Sequence, residues 1–228
     1  MTHILAISPH LDDAAFSVGG LLAAHAAKAG RVTIATCFTG NVSQPSGFAL
    51  ACQLDKGLGA EVDYMALRRA EDQAACAVIG AEAIHLPFLE APHRGYGDAA
   101  ALFGARHDTD LVLAPLTAAL RALVDDIDPN LLLGPLGIGS HVDHGIVRDA
   151  LQALGRPLLL WEDWPYLQRA EIPQAEQPTR RHRLSDADRA ARLAMCQAYA
   201  SQLGFQFGGA AALEQQIAAV SEERLHLP

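Results

Sequence analysis

His3-Ile4-Leu5-Ala6-Ile7-Ser8-Pro9-His10-Leu11-Asp12-Asp13 is the stretch on which the reading of this chain turns. His3 to Ile7 is a short, nearly continuous apolar run closed by Ser8-Pro9, the pattern of a strand buried on both faces. A histidine and two acids follow at once. A Leu- and Ala-rich stretch, Ser17 to Ala29, then predicts a helix stopped by Gly30, and the β-branched run Val32 to Phe38 predicts a second strand. Strand, helix, strand implies a parallel pair, and so a sheet with helices on both faces.

The pattern continues outward. Thr39 to Asp63 is broken by glycines and prolines and reads as an excursion over one sheet edge. Helices are predicted over Tyr64–Ile79, Pro115–Ile127, Gly145–Leu154, Ser185–Leu203 and Ala210–Val220. Strands are predicted over Ala83–Leu86, Leu131–Leu133 and Pro157–Trp161, and Pro173 to Arg183 reads as a surface segment. The expected fold is a three-layer α/β sandwich with a mostly parallel, Rossmann-like sheet. Its 228 residues form a single domain, with a motif-bearing core over about 1–160 and a helical part over about 161–228.

Composition narrows the function. Half the residues are hydrophobic and 19% are charged, which excludes a disordered chain. No apolar run approaches the roughly 20 residues of a membrane-spanning helix, and no signal peptide is visible. With 17 basic against 26 acidic residues, a nucleic-acid partner is disfavoured. Cys37, Cys52, Cys76 and Cys196 form no C-x-x-C pair and read as reduced thiols in a cytoplasmic protein. Self-association is left open.

Two segments combine the same ingredients at equivalent places. His10-Leu11-Asp12-Asp13 follows the first strand, and His141-Val142-Asp143-His144 follows Leu131–Leu133. Strand ends of an open parallel sheet deliver their loops to one edge, so the two can converge. His10 and Asp13, with His144, suit a divalent metal and leave a position open for water, as in a catalytic site. Asp12 stands beside these ligands and is free to accept a proton from that water. His141 is a candidate proton donor, with Asp143 orienting its ring and raising its pKa. The competing reading makes the acids helix caps. Rival chemistries are a two-metal phosphoesterase, a mononuclear iron centre and a non-catalytic binding module. Gly134-Pro135-Leu136-Gly137-Ile138-Gly139 is no dinucleotide fingerprint. His3, His25, His85, His107, His182 and His226 read as structural, and Trp161 and Trp164 as core.

At Ser8-Pro9-His10-Leu11-Asp12-Asp13-Ala14, Gly19-Gly20 and His141-Val142-Asp143-His144 the sequence resembles the PIG-L/LmbE family of metal-dependent N-deacetylases. That family includes GlcNAc-PI de-N-acetylase and the mycothiol and bacillithiol deacetylases. Arg68-Arg69-Ala70-Glu71-Asp72 resembles the family's Arg-x-x-Glu helix. The resemblance implies an LmbE-like fold, zinc (iron or manganese also suit the ligands) on His10, Asp13 and His144, Asp12 as general base, and His141 with Asp143 as the acid pair. It also implies that Arg68 and Glu90 meet a small N-acetylated substrate, a sugar derivative. His93 and Arg94 share Glu90's loop and are further candidates. Leu11 and Val142 stand where the family has proline, and Ala14 where it has Glu. Gly139 stands where some relatives place a tyrosine; Tyr166 is a candidate substitute.

Overall fold

The computed structural model describes residues 2–168 and 178–228. In chain order the elements are β1 (His3–Ser8), α1 (Asp13–Ala27), β2 (Arg31–Thr36), α2 (Gly47–Leu54), α3 (Tyr64–Val78), β3 (Glu82–His85), α4 (Ala99–Leu102), α5 (Leu113–Ile127), β4 (Leu131–Pro135), α6 (Val142–Gln152), β5 (Leu158–Trp161), β6 (Arg180–Arg183), α7 (Asp186–Gln197), α8 (Ala200–Phe207), α9 (Ala210–Ala219) and β7 (Glu222–His226). The sheet order is β3-β2-β1-β4-β5-β7-β6, parallel from β3 through β5 and antiparallel at β7 and β6.

Alternation along the buried strands builds two cores. Ile4, Ala6, Val32 and Ile34 face one way and pack with Phe16, Leu22, Met195 and Leu213. Leu5, Ile7, Ala35 and Leu132 face the other way and pack with Leu116, Leu120, Val147 and Leu151. Two helical layers therefore clamp one sheet, as the apolar runs imply. Chain order reverses between β1 and β4. The loops leaving their carboxyl ends open the crevice in which doubly wound sheets bind ligands.

Several expected boundaries move. α1 begins at Asp13 rather than Ser17, which takes Asp13 into its first turn; the helix is kinked at Val18. The helix expected over Ser185–Leu203 divides into α7 and α8 at Ala198-Tyr199. Its predicted Ser185/Asp188 capping box is present. The excursion after β2 contains α2. Of the expected surface segment, residues 173–177 lie outside those described, while Arg180–Arg183 pairs with β7. Both of those strands escape prediction because they alternate little and carry charge. Glu223 of β7 is 3% exposed; its carboxylate accepts the N–H groups of Gly20 and Leu21, so it is spent on the α1 backbone rather than on solvent.

Trp161 and Trp164 are buried, and Trp164 stacks on Phe207 of α8. His3 bonds Thr33, and His85 bonds the buried Asp72. The four cysteines are free; Cys37, Cys76 and Cys196 are buried. Among the described residues no helix is long and apolar enough to cross a membrane.

Candidate metal centre

β1 ends at Ser8, and the chain turns sharply into α1. Ser8 Oγ fixes that turn by donating to the His10 carbonyl and accepting from the Ala14 N–H. Within it the His10 N–H donates to Asp13 Oδ2 at 2.8 Å, and His10 Nδ1 lies 3.1 Å from the same oxygen. β4 leads through Gly137 and Gly139, both at positive φ, to the start of α6. There His144, fully buried, places Nε2 3.3 Å from Asp13 Oδ2. One carboxylate oxygen thus gathers two imidazoles contributed by strands on either side of the reversal point.

His10, Asp13 and His144 offer ligand atoms that all lie within 4.8 Å of one another. The donor set of two imidazoles and a carboxylate fits a divalent cation. A specific atom supports that fit. His144 Nε2 is buried and has no hydrogen-bond partner of adequate geometry, despite its proximity to Asp13. A buried polar atom left so is costly unless something else satisfies it. A second group, His10, His141 and Asp143, shares His10 with the first, and Asp143 meets that ring at its other nitrogen, Nε2.

The electrostatics follow from the packing. Burial alone would raise the Asp13 carboxyl, but His144 and His10 outweigh it and hold the group well below the usual range. Asp12 is 6% exposed and makes no side-chain capping bond, so the helix-cap reading of that acid fails. Burial raises its pKa to about 6, against the opposing pull of Arg68. Arg68 Nη2 stands 2.9 Å from Asp12 Oδ2 and also donates to the Leu11 carbonyl; Nη1 donates to Tyr64 Oη. Arg68 is itself only 3% exposed, so its polar contacts tie it to Asp12 from behind.

Asp143 departs from expectation. It was placed behind His141, but its carboxylate accepts from His10 Nε2 at 3.0 Å, the Ala91 N–H at 3.0 Å and Arg94 Nη2 at 2.7 Å. Only its backbone N–H reaches His141, donating to Nδ1 at 3.2 Å. That bond makes Nε2 the proton-bearing nitrogen of a neutral His141. The expected elevation of its pKa is absent too: burial, then the neighbouring His10, hold the imidazole well below its ordinary value. Arg94, a candidate substrate contact, is tied into the support of Asp143. Its guanidinium is engaged by Asp110, Asp143 and the Leu89 carbonyl and lies 4.7 Å over the Phe38 ring.

Glu90 and His93 line a cleft with Asn41, Cys52, Lys56 and Tyr64, and Tyr64 connects it to Arg68 and Asp12. Tyr166 stands edge-on to His144, with centroids 5.2 Å apart. Sequence reasoning missed Phe103. This residue follows the short α4, is 42% exposed and meets His141 edge-on at 5.3 Å and Tyr166 at 6.0 Å. Its signal was an aromatic in an otherwise polar and small-residue stretch. Asp163, which accepts from His144 Nδ1 at 2.8 Å, was also missed; a lone acid after a strand carries no signal of its own.

Fold and site together define a doubly wound α/β protein with a mononuclear His-Asp-His candidate metal centre at its switch point. Residues 5–154 match the family described as PIG-L, GlcNAc-PI de-N-acetylase, and the chain belongs to that family. It is 35% identical over 184 residues to the 2′-N-acetylparomamine deacetylase of Streptomyces fradiae; the match covers 78% of this chain and 63% of that protein's length. Among solved structures it resembles the A40926 pseudoaglycone deacetylase, with TM-score 0.81 and 32% identity over 98% of this chain and 96% of that one. It also resembles a zinc-inhibited form of teicoplanin deacetylase, with TM-score 0.81 and 26% identity, covering 98% and 96% of the two chains.

Proposed function

We propose that this chain is a zinc-dependent N-deacetylase that removes an acetyl group from an amino sugar or an amino-sugar-bearing compound. The observation that carries the reading is the meeting of His10, Asp13 and His144 around one oxygen, with the Asp12 carboxylate on the adjoining residue. The deacetylase names of relatives that span most of the fold support it.

His10, Asp13 and His144 would hold the ion. When bound, a divalent cation polarises an amide carbonyl and acidifies water. The chain's own groups do the rest. Asp12, steadied by Arg68, accepts the proton of the attacking water. His141 donates a hydrogen bond from its Nε2–H to the developing acyl oxyanion, and the proton that Asp12 took from the water passes to the departing amine. Asp143 orients His10 through Nε2, and Arg94 compensates its buried charge. Glu90 and His93 line the substrate cleft. The Phe103 and Tyr166 rings give the sugar an apolar wall beside His141. The whole chain acts as one domain, because β7 returns to the sheet and binds α1 through Glu223. A reducing, cytoplasmic setting accords with the free thiols.

The test is acetate release from N-acetylated paromamine and from N-acetylglucosaminyl glycopeptides, before and after chelation and zinc readdition. Chelation should abolish turnover and zinc should restore it, with one ion per chain. An Asp12→Asn variant that keeps full turnover would overturn the base assignment; unchanged metal content in His144→Ala would overturn that ligand.

A further inference from the structure

Asp163 lies in the loop after β5, outside both His-Asp segments, and is 1% exposed. Three donors converge on its carboxylate. Oδ1 accepts from His144 Nδ1 at 2.8 Å, and Oδ2 accepts the N–H groups of Gly137 at 2.6 Å and Ile138 at 2.8 Å. We propose that Asp163 is a positioning residue that fixes the His144 tautomer and, with the same carboxylate, the β4–α6 loop, so that Nε2 is free to bind metal. This rests on the metal centre proposed above.

The physical argument is short. A carboxylate only accepts, so His144 Nδ1 carries a proton, and in the neutral ring that metal binding requires the lone pair is on Nε2. Nε2 is the atom that faces Asp13 without a hydrogen bond. The two backbone donors hold the carboxylate itself, so it cannot turn to suit another ring orientation. His10 is treated alike: Asp143 takes its Nε2, which leaves Nδ1 toward Asp13. Each imidazole of the centre therefore has its own carboxylate behind it, each from a different part of the chain.

Asp163→Asn separates this role from a structural one. The amide oxygen must stay on the Gly137 and Ile138 N–H groups, because turning the NH2 toward them would oppose donors to donors. The NH2 then faces His144 Nδ1 and donates to it. The imidazole proton is driven to Nε2, where it competes with metal. The loop keeps its bonds while the ligand loses its free atom.

The experiment is Zn²⁺ titration of the full chain against a competing chelator, with thermal melts of the metal-free proteins and 1H–15N histidine spectra of the zinc-loaded wild type. The expected result is an Asp163→Asn variant that melts near the wild type yet binds Zn²⁺ about 10–100-fold more weakly. The loaded wild type should show a His144 Nδ1–H and a proton-free Nε2. Equal Zn²⁺ affinity in a folded Asp163→Asn variant would overturn the proposal. So would a proton on Nε2 in the loaded wild type, a measurement that stands even where the variant fails to fold. A wild-type chain that binds neither Zn²⁺, Mn²⁺ nor Fe²⁺ would overturn the metal centre itself, and with it this role; that result differs from a wild type that binds while the variant binds equally.

Discussion

The turn after β1 and the turn after β4 reach the same site by different means. The first is held largely from within. Ser8, His10, Asp13 and Ala14 exchange hydrogen bonds across a span of a few residues. The second is held from far away: Asp143 by Ala91 and Arg94, His144 by Asp163 from the next strand. A self-tied turn can be set as soon as its strand is in place. A turn supported by other loops depends on the whole crevice assembling. His144, which follows β4, should therefore be more sensitive to distant substitutions than His10 and Asp13.

The largest effect tests the first turn's chemistry rather than its frame. Asp12→Asn should retain metal and lose turnover by about 10²- to 10⁴-fold, read by acetate release together with elemental analysis. Arg94→Met strikes at the second turn's remote support. It removes the guanidinium from the buried Asp143 and Asp110, which keep only His10, Ala91, Tyr96 and Val112 as partners, and should cost about 3–5 kcal/mol in denaturant melts. A loss as small as that of an exposed-site substitution would break the contrast between the two turns. Ser8→Ala removes a local tie and should cost about 1 kcal/mol, with Zn²⁺ affinity nearly kept.

The smallest effect is a pH dependence. Burial would raise the Asp110 carboxyl, but Arg94 and Tyr96 outweigh it, so its pKa in the folded chain lies below the ordinary aspartate value. A depressed acid stabilises the fold above its unfolded pKa, and that contribution fades as pH falls through the folded value. Asp110→Asn should therefore shallow the loss of stability below about pH 4 and leave its neutral-to-alkaline side unchanged in slope. An unaltered acid limb would remove Asp110 from the support of Arg94.

What could be read from the sequence follows the same division. The apolar runs of β1, β2 and β4 and the helix stops at Gly30 and Gly80 are local signals, and they gave the parallel sheet; its strand order and reversal point came only with the structure. His10, Asp12, Asp13, His141 and His144 were visible because each carries its neighbours' chemistry within four residues. The partners of Asp143 and Arg94 were not, because pairing across 49 positions leaves no trace in spacing. Asp163 was silent for the same reason, and Phe103 offered only the signal of a lone aromatic. β7 was hidden by its charges, since Glu223 is buried against backbone N–H groups rather than against apolar side chains.

Gly139 has φ +87°, and a methyl group built on it would lie 2.9 Å from Tyr166 Cβ. The two positions therefore compete for a single volume beside His144. An aromatic ring can enter that volume from the β4 side or from the β5 side, but not from both. Exchange of rings between the two positions is a route by which one scaffold can reshape the roof of its crevice while the ligand cage below stays as it is.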